Sequence, residues 1–170
     1  MEHHLRKRTL LLAATLTGGL LTTLPMATAN AAPSGLSGDF NGDGYRDVAV
    51  SAPIAPVGGK SGAGYVAVVY GTASGLDTTK RQIISQATEG IPGVPESSDY
   101  FGSAVRLTDV NRDGRAELVA SARGENTGDG TVWVLKSTTS GITATGSKSF
   151  GAATVGGPTG DAYFGDVLAG

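Results

Sequence analysis

The chain has 170 residues, 13 basic and 15 acidic side chains and a formal charge of −2, a mildly acidic balance that gives no reason to expect nucleic acid or an anionic membrane as partner. It has no cysteine, and its two histidines, His3 and His4, stand at the extreme N-terminus, so disulfides and thiol chemistry are excluded at once. Its 27 glycines, its many Val and Thr residues and the lack of any long helical periodicity predict an all-β protein of short strands.

In chain order, the first element is a secretory leader over residues 1–31. MEHHLRKRTL supplies a basic start with Arg6, Lys7 and Arg8, Leu10 to Leu24 is apolar apart from Thr and Gly, and ATANAAP gives a small-residue exit with cleavage after Ala29 or Ala31. The apolar run is too short for a membrane span, and nothing after Ala32 is apolar enough to cross one. A secreted, extracellular protein is expected, with residues 32–170 as its folded region. Cleavage removes both histidines and both methionines, together with three basic residues and Glu2, which leaves a net charge of −4. Histidine-based triads and histidine-ligated metals are then excluded, so any metal must be held by oxygen.

Residues 39–50, DFNGDGYRDVAV, carry oxygens at alternate positions: Asp39, Asn41 and Asp43, then the Tyr45 carbonyl and Asp47 at position 9. Three short side chains at that spacing curl around one hard cation, and Gly44 at position 6 permits the positive φ that turns the Tyr45 carbonyl inward. An EF-hand opens in the same way but closes with a bidentate Glu at position 12 between helices, whereas position 12 here is Val50 and a β-like run follows. The pattern predicts a calcium loop feeding a strand. Asx turns without an ion are the competing reading of the same residues.

GlyGlyLysSer at 58–61 lacks the preceding Gly and following helix of a phosphate loop, since Ile54 and a strand stand there, and reads as a hairpin turn. The strand YVAVVYGT begins at Tyr65, with Val66, Val68 and Tyr70 on one face and Tyr65, Ala67 and Val69 on the other. Both faces are apolar, as expected of a strand packed between neighbouring sheets. DYFGSAV follows at 99–105, with a strand predicted over 103–107.

The second acidic loop, DVNRDGRAELVA at 109–120, offers Asp109, Asn111, Asp113, the Arg115 carbonyl and Glu117. Arg112 and Arg115 leave it a local charge of −1, against −2 for the first loop with Arg46, and Glu117 is one methylene longer than Asp47. Weaker calcium binding is expected there. Strands are predicted at 117–121 and 131–136, with a weaker one near 147–152. Arg123, Gly124 and Glu125 differ by one methylene from an integrin-binding tripeptide, and their Gly-rich hairpin setting explains them. Trp133 alternates with apolar neighbours and reads as core rather than as a sugar platform.

Three landmarks recur in order. The acidic loop repeats at an offset of 70, YVAVVYGTASGL returns as TVWVLKSTTSGI at 66, and DYFGSAV returns as AYFGDVL at 63. Shrinking offsets place deletions in the connections, the mark of a structural repeat with about four antiparallel strands per unit, and such units in series are propeller blades.

DYFGSAV followed by DVNRDGRAELVASA resembles the FG-GAP repeat of the integrin α-chain head, which also occurs in many secreted bacterial proteins. Phe101 and Gly102, and again Phe164 and Gly165, match the Phe-Gly element, and Ser51, Ala52 and Pro53 approximate Gly-Ala-Pro. The second copy departs with Ser121, Ala122 and Arg123, and the first loop is preceded by SGLSG without Phe-Gly. The resemblance spans residues 34–170 and implies a β-propeller with calcium in blade-edge loops, a fold commonly used for extracellular recognition.

Two complete units and the start of a third cannot close a ring of four to eight blades. The expectation is part of a longer propeller, with open blade edges available for self-association. The function expected is non-enzymatic: calcium-stabilised recognition of, or adhesion to, an extracellular protein or carbohydrate. The alternative is the propeller portion of a secreted hydrolase whose catalytic segment lies elsewhere. No catalytic residue is assigned.

Overall fold

A computed structural model describes residues 38–169, so the predicted leader at 1–31 lies outside the described residues. These residues form two antiparallel sheets that do not close into a ring. The first contains β1 (Val48–Ala52), β2 (Tyr65–Thr72) and β3 (Gly75–Ile84) in that order. The second contains β4 (Phe101–Thr108), β5 (Glu117–Ala122), β6 (Thr131–Thr138) and β7 (Gly141–Gly151), also in chain order. Sequential antiparallel order with short connections is the topology of propeller blades. In the first blade the position equivalent to β4 falls before residue 38, outside the described residues.

The register repeats as the sequence does. Val48 pairs with Val69 and Ala52 with Tyr65 in the first blade, while Leu118 pairs with Leu135 and Ala122 with Thr131 in the second. Each blade's outer strand joins through a register shift, between Val69 and Tyr70 in one and between Val134 and Lys136 in the other. The outermost strand is longer than its sequence suggests. It begins at Gly141, directly after the turn at Thr139 and Ser140, rather than near 147. Thr143, Thr145 and Gly146 weaken the apolar pattern, yet an edge strand takes its hydrogen bonds from one neighbour and tolerates a polar solvent face.

Val66 and Val68 are fully buried and Tyr70 nearly so, while Tyr65, Ala67 and Val69 are half-buried. Val66, Val68 and Tyr70 join Phe101, Leu118, Ala120, Trp133 and Leu135 in one core shared by both blades. Trp133 is core, as expected: it is 1% exposed, meets Phe101 edge-on at 5.3 Å and donates its indole N–H to the Pro92 carbonyl at 2.9 Å. The lysine-bearing turn at 58–61 is a hairpin closed by Val57 and Lys60, which exchange backbone hydrogen bonds of 3.1 and 3.0 Å.

The Phe-Gly elements tie each unit to the one before it. Tyr100 and Phe101 donate backbone N–H groups to the Gly62 and Ala63 carbonyls at 2.8 and 2.9 Å. Tyr163 and Phe164 make the same pair of bonds, of the same lengths, to Gly128 and Asp129. Both docking points require a glycine. A Cβ on Gly64, at φ +80°, would lie 2.3 Å from the Phe101 carbonyl oxygen, and one on Gly130, at φ +79°, would lie 2.4 Å from the Phe164 backbone.

Candidate metal centre

The first acidic loop leads into β1 and the second joins β4 to β5, and each is wound by its own side chains. In the first loop Asp39 accepts the N–H groups of Gly42 at 2.6 Å, Asp43 at 3.2 Å and Gly44 at 3.0 Å. Asn41 accepts from the Asp43 N–H at 3.0 Å, and Asp43 accepts from the Tyr45 N–H at 2.9 Å. Gly44 has φ +92°, the left-handed turn expected at position 6, and Gly114 matches it at +87°. The second loop repeats the scheme: Asp109 accepts from Asp113 at 3.1 Å and Gly114 at 2.9 Å, Asn111 from Asp113 at 2.8 Å, and Asp113 from Arg115 at 2.9 Å.

The acids at position 9 have a second task that the sequence pattern did not reveal. Asp47, buried, accepts the Phe40 N–H and, across to β2, the Gly71 N–H, both at 2.8 Å. Glu117, also buried, accepts the Val110 N–H at 2.9 Å and the Ser137 hydroxyl of β6 at 3.2 Å. Gly71 and Ser137 are equivalent positions in the repeat, at the offset of 66 that relates β2 to β6. Both acids therefore anchor their loop to the third strand position of its blade. The extra methylene of Glu117 goes with a side-chain partner where Asp47 has a backbone one. Phe40, at position 2, is fully buried in the shared core, whereas Val110 at the same place is exposed.

Electrostatics separate the two loops. Burial pushes the Asp47 carboxyl up from the usual range, hydrogen bonds from Gly71 and Phe40 pull it down, and the nearby Asp39 and Asp43 carboxylates push it up again. In the second loop burial is the largest single influence on Asp113 and opposes its ionisation. The Arg115 N–H, the Asn111 amide and the Arg115 guanidinium outweigh it and hold the pKa below the usual value. That guanidinium donates to Asp113 Oδ2 at 3.0 Å, so a cation from the chain already sits on a carboxylate of the predicted ligand set.

Among the described residues no three acidic side chains are gathered as a metal cluster; their oxygens face loop N–H groups, as in Asx turns. The donor set still fits a hard cation. An ionised carboxylate offers about four lone-pair sites, so an oxygen accepting one N–H can take an ion as well. The mutual repulsion felt at Asp47 is also what a divalent ion would relieve. Asp39, Asn41, Asp43, the Tyr45 carbonyl and Asp47 would hold it in the first loop, and Asp109, Asn111, Asp113, the Arg115 carbonyl and Glu117 in the second.

The Arg123-Gly124-Glu125 tripeptide is engaged within the fold. Arg123 lies over the Tyr100 ring and 3.6 Å from Asp166, and Glu125 is bonded to Gln86.

Sheet order, register and paired loops define an all-β protein built of propeller blades. The chain carries FG-GAP repeats: the family model of that description matches residues 31–69 and 101–135. Among curated proteins it is 33% identical over 102 residues to rat phosphatidylinositol-glycan-specific phospholipase D, a match covering 58% of the chain and 12% of that protein. It is 34% identical over 89 residues to human integrin alpha-IIb and 33% identical over 91 to chicken integrin alpha-V, covering 52% and 53% of the chain and 8% of each integrin. The chain thus spans only a small part of the length of these relatives. Among the described residues no helix is long and apolar enough to cross a membrane.

Proposed function

We propose that the chain is a calcium-stabilised, non-enzymatic module of an extracellular FG-GAP propeller, serving recognition of a protein or carbohydrate. The observation that carries this reading is the recurrence of one oxygen-bearing loop, with the same internal hydrogen bonds, at the same place in two blades. Calcium would neutralise crowded carboxylates and fix the loop between the first and second strand positions, leaving the faces of the blades as the recognition surface. The predicted leader and the similarity to integrin α-chains support an extracellular setting.

Calorimetric unfolding with calcium and with chelator tests the reading. Saturating calcium is expected to raise the unfolding temperature by several degrees, since a ligand at 100 times its Kd contributes about 2.7 kcal/mol. Asp43→Ala should remove most of that shift and leave stability in chelator nearly unchanged, because Asp43 is exposed. Superimposable curves with and without calcium would defeat the proposal.

The likeness to phosphatidylinositol-glycan-specific phospholipase D favours a second reading, in which the module accompanies a hydrolase. It predicts that this chain alone releases nothing from a phosphatidylinositol-glycan substrate, and turnover by the purified chain would overturn the non-enzymatic assignment.

A further inference from the structure

Away from the calcium loops, the blades are joined by a buried amide and a half-buried acid. Gln86 follows β3, and Glu125 opens the turn between β5 and β6. The Gln86 side chain is 4% exposed, and its Nε2 donates to Glu125 Oε2 at 2.6 Å and to the Val94 carbonyl at 3.3 Å. Both partners are acceptors, which fixes the amide's orientation. Its Oε1 is fully buried and has no hydrogen-bond partner. Leaving such an oxygen unpaired is costly, and in a well-formed fold it calls for a donor.

A carboxylate cannot be that donor, but a carboxylic acid can. An acid and a primary amide are complementary at two points: amide N–H to acid carbonyl, and acid O–H to amide oxygen. The first bond of such a pair is present between Gln86 and Glu125, and the orphaned oxygen is the acceptor of the second. We propose that Gln86 and Glu125 form a proton-dependent clasp between the two blades, complete when Glu125 carries a proton and half open when it does not.

The surroundings favour the neutral acid. Burial pushes the Glu125 pKa up, Asp99 and Glu96 on the loop ahead of β4 add repulsion, and the Gln86 amide offsets only part of this, leaving it at about 7. Asp99 is itself buried and raised by burial, with its carboxylate accepting the Glu96 N–H. From β6 the neutral Trp133 ring packs beside Gly93, near both groups. Arg123, two residues before Glu125, is paired with Asp166 and stacked on Tyr100.

The sign follows from linkage. An acid whose pKa is 4.5 when unfolded and about 7 when folded binds its proton more tightly in the native state. Its contribution is therefore fully present below the lower value, declines as pH rises between the two, and is lost above about 7.

Carboxyl and side-chain amide NMR of the full chain, titrated from pH 4 to 9, tests the clasp. The Glu125 carboxyl and the Gln86 Nε2 protons are expected to move together with one midpoint near 7. Glu125→Gln, which can make both bonds without a proton, should abolish the Gln86 transition and flatten the fall in unfolding temperature between pH 5.5 and 8. A Glu125 midpoint in the ordinary carboxylate range, or Gln86 signals indifferent to pH, would overturn the proposal, and the wild-type titration decides it even if the variant folds poorly.

Discussion

At the scale of single residues the two loops are written in one pattern but differ at one ion pair. The Arg115 guanidinium on Asp113 neutralises a carboxylate of the ligand set proposed for the second loop, and any entering cation would have to displace or tolerate it. Removing it frees that carboxylate, whose side chain is 34% exposed against 21% for Arg115. Arg115→Ala, which keeps the backbone carbonyl, should therefore strengthen calcium binding at the second loop severalfold without touching the first. Isothermal titration of the variant against wild type, each with Asp43→Ala to silence the first loop, reads this directly, and unchanged or weaker binding would contradict it. The loop residues were legible in the sequence because their spacing is local: positions 1 to 7 wind on themselves. The second role of Asp47 and Glu117 was not legible, because their partners Gly71 and Ser137 are 24 and 20 residues away and carry no distinctive chemistry. Gln86 and Glu125 were hidden for the same reason, 39 residues apart and joined only by the packing of two blades.

At the scale of elements, the strands could be read from alternation and their pairing from the repeat. β7 shows the limit, since an edge strand needs no apolar pattern to be paired. The docking of one unit on the next was visible only as a Phe-Gly motif whose partner glycine stands far upstream. Phe101 meets Gly64, and Phe164 meets Gly130, where backbone comes close to backbone. No side-chain rearrangement relieves a Cβ placed 2.3 Å from a carbonyl oxygen, and the positive φ adds backbone strain. Gly64→Ala should accordingly cost roughly 2 kcal/mol or more. Gly75→Ala is the control: it has positive φ and open space, so it bears the strain alone. Urea unfolding of the two variants separates the effects, and equal losses would mean that the close approach at Gly64 is not what holds the units together.

At the scale of the whole molecule, two sheets that do not close into a ring leave surfaces that further blades would cover in a closed propeller. The outer strands are poor sites for pairing with another chain, because β3 exposes Lys80 and Arg81 and β7 carries an exposed Lys148, the charges that discourage edge-to-edge association. The inner side is different. Among the described residues β1 is paired only with β2, and Val48, Val50 and the following Ile54 are exposed, Ile54 at 80%. Self-association, if driven by burial, should therefore use this exposed apolar patch rather than the charged rim. Sedimentation velocity over a hundredfold concentration range is expected to show a sedimentation coefficient that rises with concentration. Val50→Lys, which puts a charge among the exposed apolar side chains of β1 without entering the core, should return the chain to a single slow species. The same substitution on the rim strand, Thr79→Lys, should leave association unchanged. A chain that stays monomeric throughout, or one that Thr79→Lys disperses as effectively as Val50→Lys, would show that the apolar patch on β1 is not the adhesive surface.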